Sequence, residues 1–136
     1  MAQETLTIAK ALERARDAHS SGNFQEAERL YRAILQVQPS NAAAHNNLAV
    51  LAVGVGKPVE ALPHFEAALQ AAPRHPAIWK GYIGTLVSCR RIREARRALE
   101  KARHAGLDAT SLKAIADGMP IDPSAEEARP LLEAFE

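Results

Sequence analysis

Five histidines and one cysteine are the side chains of this sequence best suited to acid–base, metal or nucleophilic chemistry. His19, His45, His64, His75 and His104 occur singly, none joined to a glutamate and a second histidine at the spacing of a helical zinc site. They read as structural or solvent-exposed. Cys89 precedes Arg90 and Arg91, whose charge favours a thiolate. A lone cysteine near a helix end nevertheless reads as a buried packing residue, and it leaves no partner for an intrachain disulfide or a cysteine-rich metal site. Gly54-Val55-Gly56 lacks the third glycine and the preceding strand of a phosphate-binding loop. Seven of the seventeen basic residues fall between Arg90 and His104. Phosphate binding uses clusters of this kind, but Glu94 and Glu100 interrupt this one and no aromatic residue interleaves it, so it reads as a solvated helix face. Residues 108–136 carry seven acids and two bases, a charge balance that could pair with it. No set of groups converges on catalysis.

The elements that position these residues are helices. The chain has 136 residues and is 47% hydrophobic but only 4% aromatic; its 28 alanines make up the difference. Alanine enters a helix at almost no side-chain entropy cost, and residues with strand preference are sparse. The expected class is all-α. A net charge of +1 argues against a dedicated nucleic-acid binder. The amino terminus carries acids and bases throughout rather than the apolar run of a signal peptide, and no window approaches eighteen apolar residues. A soluble, cytoplasmic protein without a membrane segment is the expectation.

The 8 prolines and 7 glycines exceed what a simple bundle needs, and their spacing explains them. A shift of 34 residues brings Pro39 onto Pro73 and Gly22 onto Gly56. Ala27, Ala61 and Ala95 form one column; Tyr31, Phe65 and Leu99 another; Ile34, Ala68 and Ala102 a third; and Leu48 pairs with Tyr82, Ala15 with Ala49. Each unit reads as two helices and a tight turn. In the second, Asn41 caps a helix over Ala43 to Val53, Gly54 and Gly56 end it, and Pro58 opens a helix that runs to about Ala72 and stops at Pro73. Pro63 removes one hydrogen bond inside that helix and should bend it slightly. Past residue 109 the period is expected to stop. Thr110 or Ser111 would cap a short helix, LKAIAD, closed by Gly118 and Pro120, which would cover the array end. After Ser124 a further helix, AEEARPLLEAFE, is interrupted by Pro130.

This pattern resembles the tetratricopeptide repeat, a helix–turn–helix unit of 34 residues. The resemblance covers about 8–41, 42–75 and 76–109, an array over 1–109 followed by a cap and tail helix over 110–136. Its most specific stretch is NNLAVLAVGVGKPVEALPHFEAALQAAP. Departures are Arg14 in an apolar column, Arg90 where the third unit's turn glycine belongs, and Leu107 where proline is usual. The resemblance implies a right-handed α-solenoid of antiparallel helix pairs, with no cofactor, metal or catalytic residue, whose first helices line a concave groove that takes a protein or peptide. The groove would be lined by Leu12, Glu13, Arg16, Ala43, Asn46, Asn47, Val50, Lys80, Gly81 and Gly84. Asn47 matches an asparagine with which family members hold a ligand's backbone, a task suited to an amide that both donates and accepts. The basic clamp of some relatives is not reproduced: Ala77 and Gly81 stand at its cations, and Arg16 replaces another asparagine.

The run IWKGYIGTLVSCRRIREARRALEKARHAGLDATSLKAI further resembles the last unit of bacterial arrays that precede glycosyltransferase or sulfotransferase domains. Three functions follow as expectations. The first is a non-catalytic scaffold that binds a peptide, helix or partner protein in the groove. The second is a substrate-presenting or regulatory arm of a larger transferase. The third is a module that self-associates through the array end or through Leu131, Leu132 and Phe135.

Overall fold

The computed structural model describes residues 7–120, which form seven helices: α1 (Ile8–Ser20), α2 (Phe24–Val37), α3 (Ala42–Gly54), α4 (Pro58–Ala71), α5 (Pro76–Ser88), α6 (Ile92–Ala105) and α7 (Ala109–Asp117). No strand occurs among the described residues. The expected helix over 124–136 lies outside them.

The first helix of each unit starts from a loop and the second from a tight turn; α1 and α3 carry a side-chain cap, whereas α5 opens on Pro76 without one. The Thr7 hydroxyl accepts from the Lys10 amide at 3.2 Å, and Asn41 Oδ1 accepts from the Ala44 amide at 2.9 Å, each satisfying a free amide at a helix start. Helices α2, α4 and α6 have no side-chain cap. They begin directly out of turns that share one hydrogen-bond pattern. The amides of Gly22 and Asn23 donate to the carbonyls of His19 and Ala18, those of Gly56 and Lys57 to Val53 and Ala52, and those of Arg90 and Arg91 to Val87 and Leu86. This double bond is the Schellman ending, which needs a left-handed residue at its centre. Gly22 and Gly56 supply it at φ 81°, and Arg90 is forced into it at φ 61°. A side chain in that conformation costs about 1–2 kcal/mol. Arg90→Gly is therefore expected to raise the unfolding free energy by about 1 kcal/mol, after the greater unfolded-state entropy of glycine is set against the relief. An unchanged or lowered urea midpoint would refute the strain.

Of the two glycines that end α3, only Gly56 is left-handed; Gly54 is the last helical residue. Helix α4 runs unbroken across Pro63, which is exposed. Pro39 and Pro73 follow α2 and α4 at equivalent places, and their carbonyls are held alike. Trp79 Nε1–H donates to Pro73 O at 2.7 Å, and His45 Nε2 meets Pro39 O at 2.8 Å, one period earlier. The third unit ends differently. Gly106 is left-handed at φ 98° and its turn repeats the Schellman bonds, Gly106 to Arg103 and Leu107 to Ala102. Leu107 is buried in place of the expected proline. This ending is one residue shorter, so α7 begins 33 residues after α5, against 34 between α3 and α5. Its cap is Asp108 rather than Thr110 or Ser111. Asp108 Oδ2 accepts from the Ser111 amide at 2.9 Å and Oδ1 from its hydroxyl at 2.7 Å, and these bonds hold the carboxyl below its ordinary range.

The core lies between the helix rows and divides at α3. Ala11, Ala15, Ala27, Leu30, Tyr31 and Ile34 of the first unit pack with Ala44, Leu48 and Leu51. Ala49 turns to the other side and joins the second and third units and Ile115 of α7. The alanine column at 27, 61 and 95 is completely buried, the close approach of paired helices that small residues permit.

Candidate functional site

Successive first helices touch one another, α1 with α3, α3 with α5 and α5 with α7, whereas α2, α4 and α6 do not. A row whose members touch is the inner row of a curved array, so α1, α3, α5 and α7 present the concave face. The ten residues expected there fall on α1, α3 and α5. Glu13, Arg16, Val50, Lys80 and Gly84 are exposed; Leu12, Ala43, Asn46, Asn47 and Gly81 are half-buried. They form columns one period apart, Leu12–Asn46–Lys80, Glu13–Asn47–Gly81 and Arg16–Val50–Gly84. With the 33-residue step, Lys113, Ala114 and Asp117 of α7 continue those columns. They were missed because the shortened turn hides the period. Lys113 Nζ and Asp117 Oδ2 pair at 2.9 Å.

The side chains of this face are not equivalent. An ideal Cβ on Gly81 would lie 2.8 Å from Cε1 of Phe65. Expected as groove lining, Gly81 instead admits the α4 ring against the α5 backbone. Asn47 and Tyr31 occupy the columns of Gly81 and Phe65, one period earlier. Asn46 Oδ1 and Asn47 Nδ2 are both buried and without a hydrogen-bond partner, as is the Tyr31 hydroxyl. Burial pushes the Tyr31 pKa up, opposed by the nearby charge of Arg16. Both amide atoms are shielded from solvent and unpaired, an acceptor and a donor adjacent in sequence, and they become available to a ligand only when the amides turn outward. Between α5 and α7, Lys80, Ile83, Gly84, Val87, Ala114 and Ile115, with Gly118 and Met119 just after α7, line an open, mostly apolar pocket of about 270 Å³.

Away from this face, His45 Nδ1 is likewise buried without a partner. His45 and His64 lie 6.3 Å apart between ring centroids. The His64 pKa is lowered by burial and then by the charges of Arg32 and His45. Among the described residues no three His, Cys, Asp or Glu side chains gather as metal ligands. Cys89 is half-buried rather than buried and caps the end of α5. On the outer side, the Tyr82 hydroxyl donates to Glu66 Oε1 at 3.1 Å. Burial, reinforced by the Glu66 charge, pushes its pKa up to about 12. In the basic helix α6, Arg91 pairs with Glu94 at 2.6 Å and Arg103 with Glu100. Arg93, Arg97 and Lys101 are exposed, consistent with a solvated face. No helix of the described residues is long and apolar enough to cross a membrane.

Comparison with known proteins places the same helix pairs in a larger set. A curated human protein, trafficking protein particle complex subunit 12, is 45% identical over 53 residues, a match that takes in 39% of this chain and 7% of that protein. Among solved structures, the TPR2B domain of yeast Sti1 in its complex with pHsp70 superposes with a TM-score of 0.68 at 14% identity, over 82% of this chain and 94% of that one. An O-GlcNAc transferase of Thermobaculum terrenum does so with a TM-score of 0.65 at 24% identity, over 80% of this chain and 21% of that one. At these identities the superpositions speak for the fold alone. Two tetratricopeptide-repeat models match residues 12–76 and 52–116, the second reaching into α7. Helix pairing, period and model matches agree, and the chain belongs to the tetratricopeptide-repeat family.

Proposed function

We propose that this protein is an interaction scaffold whose concave face holds a backbone segment of a protein partner across α3 and α5. The observation that carries the reading is the pair of unpaired, shielded amide atoms, Asn46 Oδ1 and Asn47 Nδ2, on the inner row, which a ligand engages once the two amides rotate toward the groove. A peptide bond offers one N–H and one C=O, and the two asparagines offer the complementary acceptor and donor. Lys80, exposed one period beyond Asn46, adds a charge for a carboxylate of the same segment. The family's fold, shared with a domain solved in complex with pHsp70, supports a peptide as the occupant.

The test compares capture of partners from an extract of the source cells by the wild-type protein and by Asn47→Ala/Lys80→Ala. Two lost polar contacts at about 1 kcal/mol each correspond to a fall in affinity of roughly tenfold or more. Far-UV circular dichroism should be unchanged, because neither side chain supports the core. Equal recovery of the same partners, quantified by mass spectrometry, would remove the groove assignment.

A further inference from the structure

The outer row of the array leaves a gap between α4 and α6, which do not touch each other. Its floor is α5, through Trp79 and Tyr82, whose ring centroids lie 6.4 Å apart. The repeat provides an internal comparison, because α2 and α4 border the equivalent gap over α3. One period before Trp79 and Tyr82 stand His45 and Leu48, and one period before Ala98 stands His64. In the earlier gap the His64 ring lies beside that of His45, at 6.3 Å between centroids, and the wall cation Arg32 is already paired with Glu28 at 3.0 Å.

In the later gap Ala98 has only a methyl to offer, and space stays open over the two rings. One hollow, of about 480 Å³, extends from Leu69 and Gln70 on α4 across Trp79 and Tyr82 to Lys101 on α6. A second, of about 200 Å³, lies between Tyr82 and the α6 residues Arg97, Ala98 and Lys101. Tyr82 and Lys101 line both, so the two form one cleft, of a size that ligand sites occupy.

The charges of this cleft are unevenly spent. Glu66 accepts from the Tyr82 hydroxyl at 3.1 Å, and Arg91 donates twice to Glu94, at 2.9 and 2.6 Å. Among the described residues no carboxylate forms an ion pair with Arg97 or Lys101. Both are exposed at the cleft, one helical turn apart. The α4 wall of the earlier gap has Pro63 and Ala67 at these two places, so the cations are particular to this cleft. Unpaired cations beside an aromatic floor suit a chain segment that carries carboxylates next to an apolar side chain. The rings and Leu69 receive the apolar group, and Arg97 and Lys101 the carboxylates. A nucleic acid fits less well, because Glu66 and Glu94 border the same cleft and repel a run of phosphates.

We propose that the cleft between α4 and α6 is a second docking site, on the outer side of the array, for an acidic segment of a protein partner that lays one apolar side chain over Trp79 and Tyr82. It stands independently of the concave groove. An array with both faces occupied joins two partners rather than holding one.

Trp79 is the chain's one tryptophan and lies in the floor, so its emission reports occupancy directly. The probes are short capped peptides with a central leucine, methionine or phenylalanine flanked by aspartates, titrated into the full chain with selective excitation of the indole. At least one should give a saturable change with a Kd below about 1 mM. Replacing its aspartates by asparagines, or introducing Arg97→Glu/Lys101→Glu, should weaken binding at least about tenfold, and raised salt should weaken it as well. Both substituted side chains are exposed, so far-UV circular dichroism should be unchanged. Asn47→Ala/Lys80→Ala should leave the titration as it is, which separates the cleft from the groove. Absence of a saturable response to every peptide overturns the proposal. So does equal affinity in the charge-reversed variant, loss of binding in Asn47→Ala/Lys80→Ala, or tighter binding of a single-stranded oligonucleotide of the same charge.

Discussion

Phe65→Ala is expected to lower the unfolding free energy by about 3–5 kcal/mol, and its loss should reverse the effect of a substitution on the next helix. Phe65 is 1% exposed and lies against the α-carbon of Gly81, where an added methyl would sit 2.8 Å from Cε1 and 3.0 Å from Cζ. Gly81→Ala in the wild type must therefore displace an aromatic ring within a packed core, a strain of about 1–3 kcal/mol only partly offset by the better helix propensity of alanine. In the Phe65→Ala background the ring is gone and the methyl enters vacated space. Gly81→Ala should there be neutral or stabilising by up to about 1 kcal/mol. Urea denaturation of the four proteins closes the cycle. Additive costs would mean that Gly81 is not a packing residue.

The second large effect concerns Trp79. The indole is 5% exposed, and its N–H closes the loop between α4 and α5 through Pro73 O. Trp79→Ala removes both the ring and the bond and should cost about 3–5 kcal/mol. Trp79→Phe keeps most of the apolar volume and loses the bond, for about 1 kcal/mol. Far-UV circular dichroism is the proper signal, because Trp79 is the chain's one tryptophan. Equal losses in the two variants would place the whole contribution in the hydrogen bond or in the shape of the indole.

Much of this architecture is legible in the residues themselves. Columns of proline, glycine and alanine mark the helix pairs to within a residue or so, because each type answers a local demand: a missing amide, a left-handed centre, a close approach. Asn41 announces α3 for the same reason. What escapes is whatever a partner in another element decides. Gly81 looks like an open patch of groove until Phe65, in the preceding unit, is seen to fill it. His45 and Trp79 share a column, yet nothing about the two side chains alone suggests that both hold a proline carbonyl. The cap of α7 is misplaced for a third reason. Gly106 and a buried Leu107 replace the proline ending and shorten the loop by one residue, so that Asp108 arrives where the 34-residue rule has nothing. At the candidate site, the asparagine pair can be found from the period, but its lack of hydrogen-bond partners depends on burial by neighbouring helices.

The connectivity of the array has a consequence for how fast it forms. Every described helix touches the next one, and α1, α3 and α5 also touch the one after that. Among the described residues the helix contacts span no more than about one repeat, so folding is spared the search that slows proteins rich in distant pairings. The core divides at α3, so a helix pair on either side of it can collapse first and serve as the template for its neighbour. Folding from two starting points on the microsecond-to-millisecond scale of low-contact-order helical chains is the kinetic counterpart of a structure in which each pair of helices is complete only through the next.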